Sequence, residues 1–469
     1  MMVRQSDDEE TPFLQRQEQP TTRTPLPWDQ LWIILLSQLS DPLAFQTLTP
    51  FIPQLIRDIG VIHGDESKVG YYVGILQSSY YAVHALTIFH WGQLSDHIGR
   101  KPVILTSLLA LSVSMFSFGL SKTFLGLVVS RTVCGAFDAS SSVIESMVMD
   151  ITDATNMPKA YSYMPVPWMV GAVIGPLIGG SLSRPADRFP DIFGRSELLK
   201  TYPYLLPCSI PAIFVSVVWI VTYFRLKEVS VIVVTRVPLP GHHFGSYNVP
   251  VNPGEVQSKP LPLRALLTPR VSAVTASNAT MGLFRIAFNS VLPIFYATPI
   301  ERGGLSLDPP RIGVILAASS AAQVIFQLVF FARLHDHFGA GAIYITGISS
   351  SIPTVILFPV INILALWLCV AIQHALTISL IMCYPCLALF VRASAPNRAS
   401  LGATNGIVQM FNTGARIIAP ASAASVFSYS MQEGHDAWLI YYFMMAIAFL
   451  AVGASQLLPR NPSVWEDHQ

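Results

Sequence analysis

Long runs without charged residues constrain this chain more than any other feature of its sequence. The hydrocarbon core of a bilayer, about 30 Å thick, is crossed by about 20 apolar residues of helix. Runs of at least this length contain no Asp, Glu, Lys or Arg at 69–95, 102–121, 160–183, 201–224, 312–332, 337–391 and 437–459. We therefore predict an all-α polytopic membrane protein of about twelve helices. The predicted spans are 30–56, 69–93, 102–121, 123–150, 158–183, 203–225, 270–298, 310–334, 341–361, 363–391, 399–427 and 437–458.

Composition and missing motifs exclude several other classes of protein. Of 469 residues, 52% are hydrophobic and 12% charged, whereas a soluble domain carries about 25% charged residues. A net charge of +1 without a long basic run argues against a nucleic-acid-binding surface. The sequence contains no Walker A, HExxH or GxSxG motif, which disfavours ATP-driven transport and hydrolase chemistry. Scattered histidines predict no metal site, and we expect neither enzymatic activity nor a cofactor.

The five cysteines lie in apolar stretches of the sequence. A reactive thiol needs an electropositive, partly exposed setting, which the neighbours of Cys383-Tyr-Pro-Cys386 do not supply. We therefore predict two buried thiols here, with a redox pair as the weaker alternative.

The chain repeats itself at an offset of 240 residues. Gly92-Gln-Leu-Ser-Asp96-His-Ile-Gly99 and Ala332-Arg-Leu-His-Asp336-His-Phe-Gly339 share the pattern Leu-x-Asp-His-x-Gly. Two six-helix bundles follow from this repeat, and paired repeats that rock about a site at mid-membrane are typical of alternating-access carriers. The predicted boundaries are a tail at 1–27, a first bundle at 28–225, a linker at 226–269, a second bundle at 270–459 and a tail at 460–469.

The distribution of Lys and Arg predicts that both tails and the linker face the cytoplasm. The tails and the loops on their side contain 16 of these residues, the loops on the other side contain 9, and three lie within spans. Positive charge collects on the cytoplasmic side of membrane proteins. Residues 9–14, Glu-Glu-Thr-Pro-Phe-Leu, resemble an acidic dileucine sorting signal, and a disordered acidic tail is the alternative interpretation. A plasma-membrane or vacuolar location is predicted.

A charged loop between spans 2 and 3 is predicted to act as a latch. Gly99 permits a tight turn, and Asp96 and Arg100 are charges at the membrane edge, where a desolvated pair can hold two helices together. Asp150, at the same end of span 4, is the expected partner of Arg100. A positive-inside anchor is the alternative role of the basic pair. The gating candidates of this region are Gly92, Asp96, Gly99, Arg100, Lys101 and Asp150.

Span 5 carries small residues and a proline at close spacing, Gly171-x-x-x-Gly175-Pro176-x-x-Gly179-Gly180. Small residues let helix backbones approach each other, and proline removes a backbone donor. A tight, bendable contact between helices is predicted, with generic glycine packing as the alternative. These five residues complete the gating candidates.

These segments resemble motifs of the major facilitator superfamily. The loop at 92–102 is similar to its signature loop, Arg131-Thr-Val-Cys-Gly135 to its second motif, and the span 5 segment to the antiporter motif of its drug:proton antiporter branch. Fungal multidrug-type and zinc-induced-facilitator-like exporters belong to that branch. The resemblance implies a latch that stabilises the state closed on the cytoplasmic side. Ala340 and Gly341 stand in the second half where the first has its basic pair, so the latch is expected to be asymmetric.

Charged residues within the spans are functional candidates, because each costs about 2.5–3.5 kcal/mol at mid-membrane on insertion scales. Arg131, Asp138 and Glu145 recur every seven residues in span 4, which predicts that they share one helix face. Asp41 precedes Pro42 near the middle of span 1. Burial and a nearby Arg shift the pKa of a carboxylate in opposite directions, so such an acid can exchange protons. The proton-coupling candidates are Asp41, Asp138, Glu145 and Arg131, with a purely structural ion pair as the alternative.

Polar residues recur at helical spacing in the second half, with three and Gly282 on one face of span 7 and four on one face of span 11. Faces this polar avoid lipid, so we predict a polar central cavity. Single Asn and Gln residues that only hold helices together are the alternative. The substrate-binding candidates are Gln38, Asn278, Arg285, Asn289, Gln323, Gln327, Gln373, His374, Asn405, Gln409, Asn412 and Arg416.

Together these features predict a secondary transporter that exports small organic molecules in exchange for protons, as a monomer in the bilayer. The acids of the first half are predicted to handle protons, and Arg285 and Arg416 to bind polar or anionic substrate groups. The alternatives are a facilitative or proton-symport nutrient importer, a non-transporting membrane receptor on the same fold, and a membrane enzyme.

Overall fold

The computed structural model describes residues 24–152, 156–228, 266–364, 367–396, 401–432, 434–460 and 463–466. Helices and short connecting turns make up these residues, with no strand among them. Most of the two predicted tails, the dileucine-like segment and most of the linker lie outside the described residues.

The first bundle contains six spans. Span 1 is α1 (Trp28–Leu48), followed by the short α2 (Ile52–Ile59), and spans 2 and 3 are α3 (Val69–Ile98) and α4 (Arg100–Gly119). Span 4 is divided into α5 (Phe124–Phe137) and α6 (Ser140–Ile151), and span 5 into α7 (Met157–Tyr163) and α8 (Pro165–Leu182). Three one-turn helices, α9 (Pro185–Arg188), α10 (Pro190–Phe193) and α11 (Glu197–Thr201), precede span 6, which is α12 (Leu205–Arg225).

The second bundle repeats this arrangement. Span 7 is α13 (Pro269–Ala297), and α14 (Pro309–Ser349) contains span 8 and the start of span 9, which α15 (Ser351–Leu364) completes. Span 10 consists of α16 (Trp367–Ile381) and α17 (Cys383–Ser394), span 11 is α18 (Leu401–Ser430) and span 12 is α19 (Leu439–Ser455). The one-turn α20 (Ser463–Glu466) follows.

Within the described ranges, six helical segments are long and apolar enough to cross a membrane by length and composition alone. One of them, Pro309–Ile361, contains both span 8 and most of span 9. The helices of spans 1, 2 and 11 have sufficient length but are more polar. Because polar helices in a membrane turn toward protein or water, these spans are expected at the interface between the bundles, which is where spans 2 and 11 meet.

Two equivalent glycines show the repeat in three dimensions. The bend in α14 falls at Gly339, whose backbone angles are φ 76° and ψ 161°. Gly99, 240 residues earlier, adopts φ 96° and ψ 163° between α3 and α4. Both angle pairs are accessible essentially to glycine alone, so the shared sequence pattern encodes a shared turn.

The described residues next to the two chain tails lie at one end of the molecule, which we call the tail end. Lys227, after span 6, lies 3.4 Å from Asp29 at the start of span 1. The amide of Gly341, at the start of span 9, donates to the carbonyl oxygen of Arg460 after span 12. The loops at 49–68, 183–204, 298–308 and 431–438 lie at the opposite end, the far end. The tail end is the one predicted to face the cytoplasm.

The two bundles are joined toward the far end. In the seam between spans 2 and 11, the Ser78 hydroxyl donates to the carbonyl oxygen of Ile417 at 2.9 Å. The Arg57 guanidinium, in the last turn of α2, donates to the carbonyl oxygen of Ala297 at 2.9 Å, where span 7 ends. Toward the tail end the packing opens, because a Cβ atom added at Gly92 in span 2 or at Gly406 in span 11 would meet no atom within 4 Å.

The glycines of span 5 form the close contacts that their spacing predicts. A Cβ atom added at Gly171 or Gly175 would stand 2.7–2.9 Å from atoms of span 1. One added at Gly180 would stand 3.0 Å from the Cα atom of Gly313 in span 8 of the other bundle. Span 5 thus packs on span 1 within its own bundle and on span 8 across the interface. Cys383 and Cys386 are also as predicted, since both are buried free thiols.

Candidate functional site

A cavity of about 190 Å³ lies between the bundles, with walls from both. Five of the twelve predicted substrate-binding residues line it: Arg285, Asn289, Gln323, His374 and Arg416. The first bundle contributes polar and aromatic residues that sequence analysis did not single out, namely Gln46, Thr49, Gln77, Tyr81 and Trp168. A mixed aromatic and polar lining of this kind is typical of small-molecule sites.

Two arginines of the second bundle make the cavity electropositive. The Arg285 guanidinium stands 4.2 Å from the centroid of the Tyr384 ring, and its Nε atom is buried with no hydrogen-bond partner in the described part of the chain. Among the residues that the structure describes, neither Arg285 nor Arg416 pairs with a carboxylate. Tyr81 of span 2 lies within electrostatic range of both, so the charges converge on the interface.

Hydrogen bonds fix two of the polar lining residues. The Gln323 amide nitrogen donates to the hydroxyls of Ser319 at 3.2 Å and Thr377 at 3.1 Å, which ties span 8 to span 10. His374 Nε2 lies 2.9 Å from the Tyr296 hydroxyl. These bonds position side chains on the second-bundle wall before any ligand arrives.

The remaining predicted binding residues do not line this cavity. Gln373 is fully buried, and its amide donates to the Thr354 carbonyl oxygen of span 9 at 3.0 Å, so it holds helices together. Asn278 and Asn412 are buried. Gln38 and Gln327 are half-buried, each with an amide oxygen that has no hydrogen-bond partner among the residues the structure describes. Asn405 and Gln409 are exposed, nearer the tail end of span 11.

In the first bundle, the charged candidates gather beside span 2. Arg131 is 5% exposed, and its guanidinium lies 4.6 Å from the Tyr80 ring centroid and 5.6 Å from that of Phe45. Asp41 is half-buried in α1, and Tyr80 lies within electrostatic range of Asp41 and Asp138. Residues predicted for proton exchange therefore meet around one tyrosine ring.

The prediction that Arg131, Asp138 and Glu145 share one helix face is wrong, because span 4 is not a continuous helix. α5 ends at Phe137 and α6 begins at Ser140, with Asp138 extended at φ −75° and ψ 98°. Because α5 and α6 are separate helices, a spacing of seven residues across the interruption no longer places side chains on the same face. Arg131 and Asp138 are buried, whereas Glu145 is exposed.

Side chains of spans 2 and 3 satisfy backbone groups that the interruption leaves unpaired. Thr87 donates to the Gly135 carbonyl oxygen at 3.3 Å, and the Trp91 indole donates to that of Ala136 at 2.7 Å. The Ala139 amide donates to the Ser107 hydroxyl at 3.3 Å. Interrupted backbone within a membrane persists only where protein or water satisfies it, and discontinuous helices frequently mark transport sites.

The carboxylate of Asp138, at this interruption, meets two side chains of span 2. The Tyr80 hydroxyl donates to its Oδ2 atom, and His84 Nε2 lies 3.9 Å from the same oxygen. Sequence analysis missed both residues. Their spacing of four places them on one face of α3, which is the signal that would have paired them.

The latch region contains the contact predicted for it and one that was not predicted. Arg100 Nε and Asp150 Oδ2 form an ion pair. The backbone amide of Arg100 also donates to Glu228 Oε1 at 2.8 Å, and that of Lys101 to the same atom at 3.4 Å, so Glu228 caps the start of α4. The Asp96 side chain lies outside the described part of the structure.

The model of the Major Facilitator Superfamily matches residues 34–420, and the chain belongs to this family. It is 26% identical to the efflux pump azaK of Aspergillus niger, over 93% of this chain and 92% of that protein. It is 28% identical to ZINC INDUCED FACILITATOR-LIKE 1 of Arabidopsis thaliana, over 95% and 94%. Both relatives fall within the branch that the sequence motifs indicated.

A solved structure has the same fold. The crystal structure of the human organic anion transporter MFSD10 (TETRAN) matches with a TM-score of 0.60 and 18% identity, covering 92% of this chain and all of that one. The two-bundle architecture is therefore confirmed, and the protein is an integral membrane transporter of this superfamily.

Proposed function

We propose that this protein is a proton-coupled antiporter that exports a small organic molecule carrying an acidic group. The observation that carries this proposal is the pair of arginines, Arg285 and Arg416, on the cavity wall, without a carboxylate partner among the described residues. A charge inside a membrane protein is costly unless it is paired. A substrate carboxylate, sulfate or phosphate would supply the missing partner by bidentate hydrogen bonds.

The proton side of the proposal rests on the first bundle. Asp41 lies near the middle of span 1, and Arg131 lies buried across Tyr80 from Asp138. A carboxylate within reach of an arginine, in a site that changes its access to water, can release its proton on one side and take one up on the other. Efflux relatives such as azaK support export as the direction.

Flux into proteoliposomes tests the proposed function. The purified protein is reconstituted, a pH gradient of about two units is imposed, and uptake is followed for a panel of aromatic carboxylic acids and their uncharged primary amides. We expect one or more acids to accumulate inside the vesicles while protons move out down their own gradient. The corresponding amides should not accumulate. A wild-type flux that ignores the pH gradient would contradict proton coupling.

Matched variants connect the flux to the site. Asp41→Asn is expected to lower gradient-driven accumulation about tenfold or more, whereas Asp436→Asn, in an exposed far-end loop, leaves it unchanged. Arg416→Gln is expected to raise the half-saturating concentration about tenfold, the equivalent of one lost charge-assisted hydrogen bond. Arg302→Gln, exposed in the loop after span 7, serves as its control. Equal effects of Arg416→Gln on acids and amides would contradict an anionic substrate.

A further inference from the structure

The interruption of span 4 brings together a histidine and an aspartate that sequence analysis did not connect. His84 and Asp138 are nearly buried, with side-chain exposures of 12% and 11%. His84 Nε2 is buried without a hydrogen-bond partner among the described residues. It lies 3.9 Å from Asp138 Oδ2, beyond hydrogen-bond distance but within the range of an ion pair.

A buried ring nitrogen without a partner is unfavourable by about 1–3 kcal/mol. Protonation makes both nitrogens of an imidazole donors. A shift of about 1 Å would then bring the ring into a charge-assisted hydrogen bond with the carboxylate. The geometry therefore allows His84 to bind one additional proton, which the Asp138 carboxylate would stabilise.

We propose that His84 and Asp138 bind one exchangeable proton together, as a site separate from Asp41, and that this proton controls the interruption in span 4. The imidazole holds the proton, and the carboxylate compensates its charge. The role of this proton in transport rests on the proposed proton coupling, whereas its binding does not.

The surroundings of the pair come from three helices. The Tyr80 ring stacks on His84 with a centroid distance of 5.8 Å and an interplanar angle of 2°. Its hydroxyl donates to the oxygen that faces His84, so both donors converge on Asp138 Oδ2. Among the described residues, the titratable and charged groups around the pair include Tyr80 and Tyr81 of α3, Arg131 and Cys134 of α5, and Asp41 of α1.

The interruption gives this proton a mechanical consequence. Trp91, two turns after His84 on α3, donates to the Ala136 carbonyl oxygen just before Asp138. A movement of His84 toward Asp138 therefore shifts α3 relative to the interruption, to which Trp91 is also bonded. On its other side α6 carries Asp150, the ion-pair partner of Arg100 in the latch. A proton at His84 is thus transmitted through α6 to the tail end.

Proton uptake by purified full-length protein tests the site without a substrate. Detergent-solubilised wild type, His84→Gln, Asp138→Asn and the double variant are titrated from pH 8 to pH 5. We expect His84→Gln to remove about one proton from the wild-type uptake, as for a single imidazole. On the Asp138→Asn background the same substitution should remove almost none. Equal losses on both backgrounds, or no loss on either, would overturn the pair.

A surface histidine supplies the matched control. His435 lies in the far-end loop beside Tyr429, and His435→Gln should change the proton uptake of the protein by the same amount whether or not Asp138 is present. If Asp138→Asn does not fold, Tyr80→Phe is used in its place. Tyr80→Phe removes the hydroxyl that competes with His84 for Asp138 Oδ2 and keeps both His84 and Asp138. It should move the pH midpoint of the His84 proton by at least about half a unit, and an unchanged midpoint would overturn the pair.

Vesicle flux separates this inference from the proposed function. If the wild type responds to the pH gradient and His84→Gln responds equally, the pair has no role in transport. If the wild type does not respond at all, the proposed function fails, while the titration result decides the site by itself.

Discussion

At the tail end of the first bundle, the turn at Gly99 is held by side-chain charges. Arg100 pairs with Asp150, and Glu228 accepts from the backbone of α4. In the second bundle, the equivalent turn at Gly339 leads into Gly341, whose amide donates to a backbone carbonyl oxygen. The two halves thus share a turn but differ in what secures it. A charged contact can be broken and remade with protonation or salt, whereas the backbone contact is independent of side-chain charge.

The largest effect is expected at the two turn glycines. Gly99→Ala and Gly339→Ala each place a Cβ in a conformation that is unfavourable by about 1–3 kcal/mol, so both should lower the midpoint of thermal unfolding in detergent. Gly99→Ala should cost more, because its Cβ would stand 2.7 Å from Glu228 Oε1 and would displace that oxygen from the Arg100 and Lys101 amides. Gly406→Ala, in an open helical position, is the control and should not destabilise. A larger effect at Gly339 would contradict the stated role of Glu228.

A smaller effect is expected from the latch pair. Arg100→Gln should lower gradient-driven flux by up to about fivefold, since an ion pair whose Asp150 side chain is partly exposed is worth up to about 1 kcal/mol. The exchanged pair Arg100→Asp with Asp150→Arg should recover part of that loss. Arg333→Gln, at the matching end of span 8 and exposed, should leave flux nearly unchanged. If Arg333→Gln were as harmful as Arg100→Gln, the latch would not be confined to the first bundle.

The smallest effect is expected from Glu228→Gln, which, compared with Arg460→Ala, distinguishes a contact that depends on side-chain charge from one made by the backbone. Glu228→Gln keeps an acceptor oxygen but removes the negative charge at the start of α4, which is worth about 0.3–1 kcal/mol at low ionic strength. Arg460→Ala leaves the carbonyl oxygen that Gly341 uses, so it should have no measurable effect. Thermal unfolding at low and high salt checks both. The difference between wild type and Glu228→Gln should shrink in high salt; a difference that salt leaves unchanged would argue against charge.

Much of the fold follows from the sequence because the membrane leaves few alternatives. Apolar length determines where helices cross, and the repeated Leu-x-Asp-His-x-Gly pattern marks equivalent turns. The ion pair of Arg100 with Asp150 and the close packing of the span 5 glycines were predicted and are present. Each depends on local pattern and on which end of a span a residue occupies.

The interruption of span 4 could not be predicted in the same way. The segment Phe137-Asp138-Ala139-Ser140 contains neither Gly nor Pro, and the partners that satisfy its backbone come from spans 2 and 3. Gln373 was misplaced for a similar reason, since only tertiary packing shows that its amide meets Thr354 rather than the cavity. His84 looked like an isolated histidine until the fold set it beside Asp138.

The division of labour between the bundles is tested most directly by measuring two kinds of flux in two variants. With an acid that the wild type transports, gradient-driven accumulation and substrate exchange without a gradient are compared in Asp41→Asn and Arg285→Gln. Asp41→Asn should lose accumulation about tenfold or more while exchange continues, because exchange needs no net proton movement. Arg285→Gln should raise the half-saturating concentration about tenfold in both assays. If both variants lost both activities alike, or if Asp41→Asn still accumulated substrate, the division between a proton-handling first bundle and a substrate-binding second bundle would be contradicted.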